Sequence, residues 1–151
     1  MDDKEVRIFD NVLEYTCLEL NQVLKNISSE YKKEIEEIRL RSGMPLIVYI
    51  KGSDYFVTQR GSLTKNSSES ILVKREDITK TFQLISNYSV YAFEEEIKNG
   101  FITLKGGHRV GIGGKVLYGI NGIETIKNIS SLNIRIAREK LGVSDEIAKH
   151  I

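Results

Sequence analysis

A chain of 151 residues, 40% hydrophobic and 28% charged, has the size and composition of one globular domain. Its net charge of +1 says nothing about partners, and its one cysteine, Cys17, excludes an internal disulfide. The opening MDDKEVRIFD is charged, and no run approaches the roughly 18 apolar residues of a membrane span, so a reducing, intracellular setting is the expectation. The charge is unevenly placed. Residues 1–96 carry 13 Lys/Arg against 17 Asp/Glu, whereas residues 97–140 carry 8 against 2. The later part of the fold is therefore locally basic.

In chain order, Phe9, Leu13, Leu20 and Leu24 recur near helical spacing, with Val12 and Val23 widening the stripe. Together with SSEYKKEIEE they predict a helical lead-in over about residues 5–34. EIRLR then alternates, with Ile38 and Leu40 on one side and Arg39 and Arg41 on the other, which predicts a half-buried strand. Pro45 suits a turn or strand start. LIVYI and YFVT read as strands joined by a tight turn at KGSD, and residues 59–70 as an exposed, mobile loop. A helix follows with Ile78, Phe82 and Ile85 on one face. A second, short helix is predicted from an N-cap at Ser89 to a stop at Asn99-Gly100. Glu94, Glu95 and Glu96 read as its solvent face, because carboxylates at successive helix positions cannot converge on one ion.

The remainder reads as sheet. FITL is one strand, and HRVGIGGKVLYGI and IETIKNI flank Asn121-Gly122, a hairpin signal. In LNIRIAR, Leu132, Ile134 and Ile136 face one way and Asn133, Arg135 and Ala137 the other. These elements make one α+β domain with a body over about residues 35–142; a last amphipathic stretch, about 143–151, reads as the start of a linker.

The stretch KGGHRVGIGGKV resembles a phosphate loop but fails its requirements. Gly114-Lys115 is followed by Val116 where a P-loop needs Ser or Thr, and Arg109 stands where its first glycine belongs. A dinucleotide fingerprint fails at Val116, and the Gly111 to Gly114 match to a KH loop lies in a strand pattern rather than between helices. The glycines read instead as bends: Gly106 and Gly107 as a turn, and Gly111, Gly113 and Gly114 as a coil or close approach in the next strand. Such a hairpin can present His108 and Arg109 on its rim. His108 and His150 are the only histidines, and no metal-ligand spacing is visible. No catalytic constellation is visible either.

Three phrases in this order, EIRLRSGMPLIV, ISNYSVYAFEEEIKNGFITLKGGHRVGIGGKV and IKNISSLNIRIARE, resemble the stage III sporulation protein AA family over about residues 36–142. That resemblance implies a secretion-type ATPase of endospore-forming bacteria, whose P-loop core follows shortly after the last phrase. The chain would then be an N-terminal regulatory and assembly domain, catalytically silent by itself. ATP and magnesium would belong to the ATPase core, and no cofactor to this chain. A more distant resemblance, to the domain ahead of the motor in secretion and pilus-retraction ATPases, implies a PAS-like, mostly antiparallel sheet with helices packed on it. In such motors, arginines of this domain reach bound nucleotide, and Arg109, Arg135 and Arg138 lie on the strands that match the analogous arginines, which makes them, with His108 beside Arg109, the candidate nucleotide contacts of the intact protein. The implied partners are the chain's own ATPase core, a homo-oligomeric ring and membrane proteins of the channel between mother cell and forespore. The implied place is the mother-cell cytoplasm. Two rivals remain at this stage: a nucleic-acid-binding module, weakened by few exposed aromatics in the basic part, and a ligand-sensing PAS-like domain.

Overall fold

The computed structural model describes residues 3–87, 93–114, 117–119, 122–125 and 129–138. The predicted N-cap at Ser89, Asn121 and the amphipathic stretch at 143–151 lie outside them.

The lead-in is helical but broken. Helix α1 (Lys4–Val12) passes into a 3₁₀ turn, and α2 (Leu18–Lys25) and α3 (Ser29–Lys32) follow. The stripe of apolar residues does not require one rod, and Thr16 supplies the break. Its backbone is extended, with φ −94° and ψ 150°. Its hydroxyl donates to the Leu13 carbonyl at 2.7 Å, and Asn21 Nδ2 donates to the same oxygen at 2.7 Å. Side chains thus satisfy a carbonyl that a continuing helix would have bonded itself.

Strands β1 (Ile35–Arg41), β2 (Ile47–Ile50) and β3 (Ser53–Val57) form a meander. The turn between β2 and β3 places Lys51 at φ 45° and Gly52 at φ 84°, the paired left-handed conformations of a tight hairpin. Residues 59–70 are more ordered than their polar composition predicts. Strand β4 (Leu63–Thr64) pairs with β3, and a bridge joins Thr58 to Ser70. Gly61 seats this hairpin on the end of α2: a Cβ there would lie 2.7 Å from Asn26 Cβ and 2.8 Å from the Val23 carbonyl oxygen.

Helix α4 (Arg75–Ile85) buries Ile78, Phe82 and Ile85 as its periodicity predicts. The Asp77 carboxylate accepts the Lys74 N–H at 2.8 Å and so closes its first turn. Helix α5 (Glu94–Lys98) is short; it buries Ile97 and leaves Glu95 exposed, with Glu94 and Glu96 half-exposed.

Strands β5 (Phe101–Thr103) and β6 (Arg109–Gly114) are joined through Gly106 and Gly107, at φ 96° and 90°. The predicted long strand after His108 is two strands. β6 ends at Gly114, and β7 (Leu117–Gly119) pairs separately with β8 (Gly122–Thr125). That ladder closes on Gly119 and Gly122, so Gly122 is a strand residue rather than a turn centre. Strand β9 (Ile129–Arg135) returns to the main sheet.

The main sheet has seven strands in the order β4-β3-β2-β1-β9-β6-β5, every neighbouring pair antiparallel. The protein is thus α+β, with helices leading into an antiparallel sheet. One core joins Phe9, Leu20 and Leu24 of the lead-in, Phe82 of α4, and Ile38, Leu40, Val110, Leu132 and Ile134 of the sheet. Alternation puts the last five on one face of the sheet. The other face carries Glu37, Arg39, Arg41, Arg109, Asn133 and Arg135.

Candidate functional site

The register of the central strands gathers the predicted cations. Arg109 on β6 stands directly opposite Arg135 on β9, and Arg135 directly opposite Glu37 on β1. Glu37 is already engaged, since Arg39 reaches its Oε2 from Nε at 3.3 Å and from Nη2 at 3.1 Å. Arg39 Nη1 also donates to both oxygens of Asp54, at 3.1 and 3.2 Å. Both Arg109 and Arg135 are exposed. Among the described residues neither has an ion-pair partner; Arg109 lies 4.2 Å from the centroid of the Phe101 ring. Two like charges at one cross-strand pair repel. They therefore leave a site suited to an anion, because each guanidinium stays charged and offers a planar fork of donors. The site is the rim of an open cleft of about 310 Å³, lined also by Glu36 and Glu37, which Lys51 and Arg39 engage, and by Tyr49, Gly107 and Ala137.

Arg138 is three residues further along the chain and does something else. Its Nε and Nη2 donate to the Ile35 carbonyl at 3.0 and 2.8 Å, and Nη2 donates also to the Lys32 carbonyl. Its Nη1 donates to the Glu5 carbonyl at 3.2 Å and to Glu5 Oε2 at 2.7 Å. All five N–H donors of the guanidinium are thereby used. Arg138 fastens α1, the end of α3 and β1 to the exit of β9, and has no donor left for a ligand.

His108 departs from the expected rim position, being only 6% exposed. Its Nδ1 accepts the Ala137 N–H at 2.9 Å, and Gly106 packs on its ring, where a Cβ would lie 3.0 Å from Nε2. Burial, and secondarily the charge of Arg138, hold its pKa below the ordinary 6.5. It is a neutral structural residue that pins the β5–β6 turn to the end of β9. The sequence shows a histidine beside an arginine; that the strand turns one inward and the other outward follows from the two-residue period.

The glycines divide in the same way. At Gly113 a Cβ would lie 2.0 Å from Ser131 Oγ, so a side chain there requires the serine hydroxyl to turn away. Gly114 sits at a register shift with φ 111°. At Gly111 a Cβ would meet only ordinary contacts with Asn133, at 3.8 and 3.9 Å.

One grouping escaped sequence reasoning because its members lie 60 residues apart. Cys17, Glu19 and Asp77 bring one potential metal-ligand atom each within 4.8 Å of one another. The Cys17 thiol donates to Asp77 Oδ1 at 3.6 Å, and burial pushes its pKa up, so it is not an activated nucleophile. Asp77 is meanwhile committed to the start of α4. Among the described residues, no helix is long and apolar enough to cross a membrane.

The chain matches the family described as sporulation stage III, protein AA, over residues 5–151. The chain belongs to this family. It is 35% identical over 136 residues to the stage III sporulation protein AA of Bacillus subtilis (strain 168), an alignment that takes in 87% of the chain. The chain spans 40% of the length of that relative.

Proposed function

We propose that this domain is the regulatory and assembly module of a sporulation ATPase, and that it places the Arg109–Arg135 pair against nucleotide bound to a separate motor core. The observation that carries the reading is the pair itself: two exposed guanidinium groups at one cross-strand position without a carboxylate partner among the described residues. Membership of the sporulation family supports the setting. The order of the phrases EIRLRSGMPLIV, HRVGIGG and NIRIAR, which resembles that of the domain ahead of the motor in secretion ATPases, supports the role. In this reading ATP and magnesium belong to the core, the full-length protein forms a ring in the mother-cell cytoplasm, and membrane proteins of the channel to the forespore are its partners. His108 and Arg138 hold the arginine rim in place rather than touching nucleotide.

The test is Arg109→Ala and Arg135→Ala in a protein of the relative's full length, with melting temperature and ATP turnover measured together. Loss of an arginine that contacts the transferring phosphate costs on the order of 10³-fold in rate. An exposed arginine with only a surface role changes stability by less than about 0.5 kcal/mol and leaves turnover nearly normal. A stably folded variant with a large rate loss supports the contact. Near-normal turnover in both variants removes it.

A further inference from the structure

Among the described residues, helices α1, α2 and α4 share the core with the inward-facing strand residues, while the outward face of the central strands is polar and at least partly exposed. Its charges do not balance. Glu37 and Asp54 are both held by Arg39. Glu36, beside Glu37 on β1, accepts the Lys51 N–H at 3.2 Å. Arg41, Arg109 and Arg135 are exposed, and none has a carboxylate partner among the described residues.

The middle of this face is low. Gly111 lies opposite Asn133, which lies opposite Arg39. Neither backbone strain nor crowding within the chain requires glycine at 111, since no left-handed φ occurs there and a Cβ would fit. A glycine inside a strand weakens it, and strand glycines recur at bulges, at bends and where another backbone or a ligand approaches closely; at 111 there is no register shift, and the position is open to such an approach. Next to it, Asn133 Oδ1 is shielded from solvent without a hydrogen-bond partner. That oxygen is covered by the chain's own atoms, so it belongs to the packing beneath the face and not to its contact surface.

We propose that this face, centred on Gly111 and Asn133 and flanked by Arg41, Arg109 and Arg135, is a docking surface for an extended acidic segment of a protein partner. A polypeptide brings carboxylates for the arginine forks and a narrow backbone that can lie close over Gly111. Base stacking is poorly served: the Tyr49 and Phe101 rings are already faced by Arg39 and Arg109, at 5.3 and 4.2 Å from their centroids. The inference goes beyond the nucleotide contact above and shares Arg109 and Arg135 with it, whereas Arg41 and Gly111 have no part in that contact and so distinguish the two.

The experiment uses the 151-residue chain and a fluorescent glutamate-rich peptide, with binding followed by anisotropy at low ionic strength and mapped by amide chemical shifts. The expected result is salt-sensitive binding with shifts centred on Gly111 and Asn133, weakened about tenfold or more by Arg41→Glu with Arg135→Glu. Gly111→Ala, which the fold accommodates, is expected to weaken it as well, and Lys74→Glu with Lys80→Glu to leave it unchanged. Should the double charge reversal unfold the chain, Arg41→Gln and Gly111→Ala carry the comparison. Absence of binding, or binding indifferent to the face variants, overturns the proposal. So does tighter binding of an oligothymidylate lost in the same variants, which assigns the face to nucleic acid. Self-association abolished by Arg41→Glu overturns it too, and assigns the face to a second copy.

Discussion

Arg138 and Arg135 are three residues apart and have opposite fates. Arg138 hydrogen-bonds to α1, α3 and β1 at once. Its removal leaves carbonyls of Ile35, Lys32 and Glu5 without their donors and Glu5 without its partner. Arg138→Ala is expected to cost about 3 kcal/mol, read from urea denaturation, with Arg135→Ala near wild type in the same assay. His108 makes a second residue-scale prediction. Its folded-state pKa lies below the ordinary 6.5, so the unfolded chain takes up a proton first. Its contribution to stability is present above that value and declines as pH falls below it. Protonation would also end acceptance of the Ala137 N–H and set a charge beside Arg138. Melting temperature should therefore fall between neutral and mildly acidic pH, and His108→Asn, which keeps an acceptor, should flatten that slope. A slope unchanged by the substitution would assign the pH dependence to other groups.

At the scale of elements, the segment read as a loose loop is the informative one. Residues 59–70 are polar because they bury little, yet their backbone pairs with β3 and rests on α2 through Gly61. Gly61 has φ 85°, and an added Cβ would meet the backbone of α2 rather than a flexible side-chain tip. Gly61→Ala is expected to destabilise by about 2 kcal/mol or more, seen as a lower melting temperature. Gly111→Ala should be far milder, although both residues are glycines in strand-rich sequence. The same contrast explains what was legible. Alternation in EIRLR and LNIRIAR exposed the inward faces of β1 and β9, because a period of two is written directly into residue order. The break at Thr16 was not legible because it rests on polar side chains bonding the Leu13 carbonyl, which the apolar stripe does not report, and the division of β6 from β7 was not legible because β6 pairs with the distant β9.

For the whole molecule, family membership and the missing P-loop lysine–hydroxyl pair lead to one expectation for the isolated chain: phosphate release from ATP at background. Turnover by the pure chain that a substitution within it abolishes would contradict this. The chain alone is also expected to be monomeric or weakly associated, since in the proposed reading the ring is held chiefly by the motor core. Sedimentation showing a tight hexamer would overturn that expectation.

Composition, strand alternation and the three signature phrases were enough for the α+β class, the central strands, the family and the arginines worth testing. They are local properties, and local order carries them. Tertiary structure alone decided which arginine is available and which is not. Arg109 and Arg135 meet because β6 and β9 pair in one particular register, and Arg138 is consumed because β9 ends beside α1 and α3. A charge is written in the sequence; its partner is set by segments as much as 133 residues away.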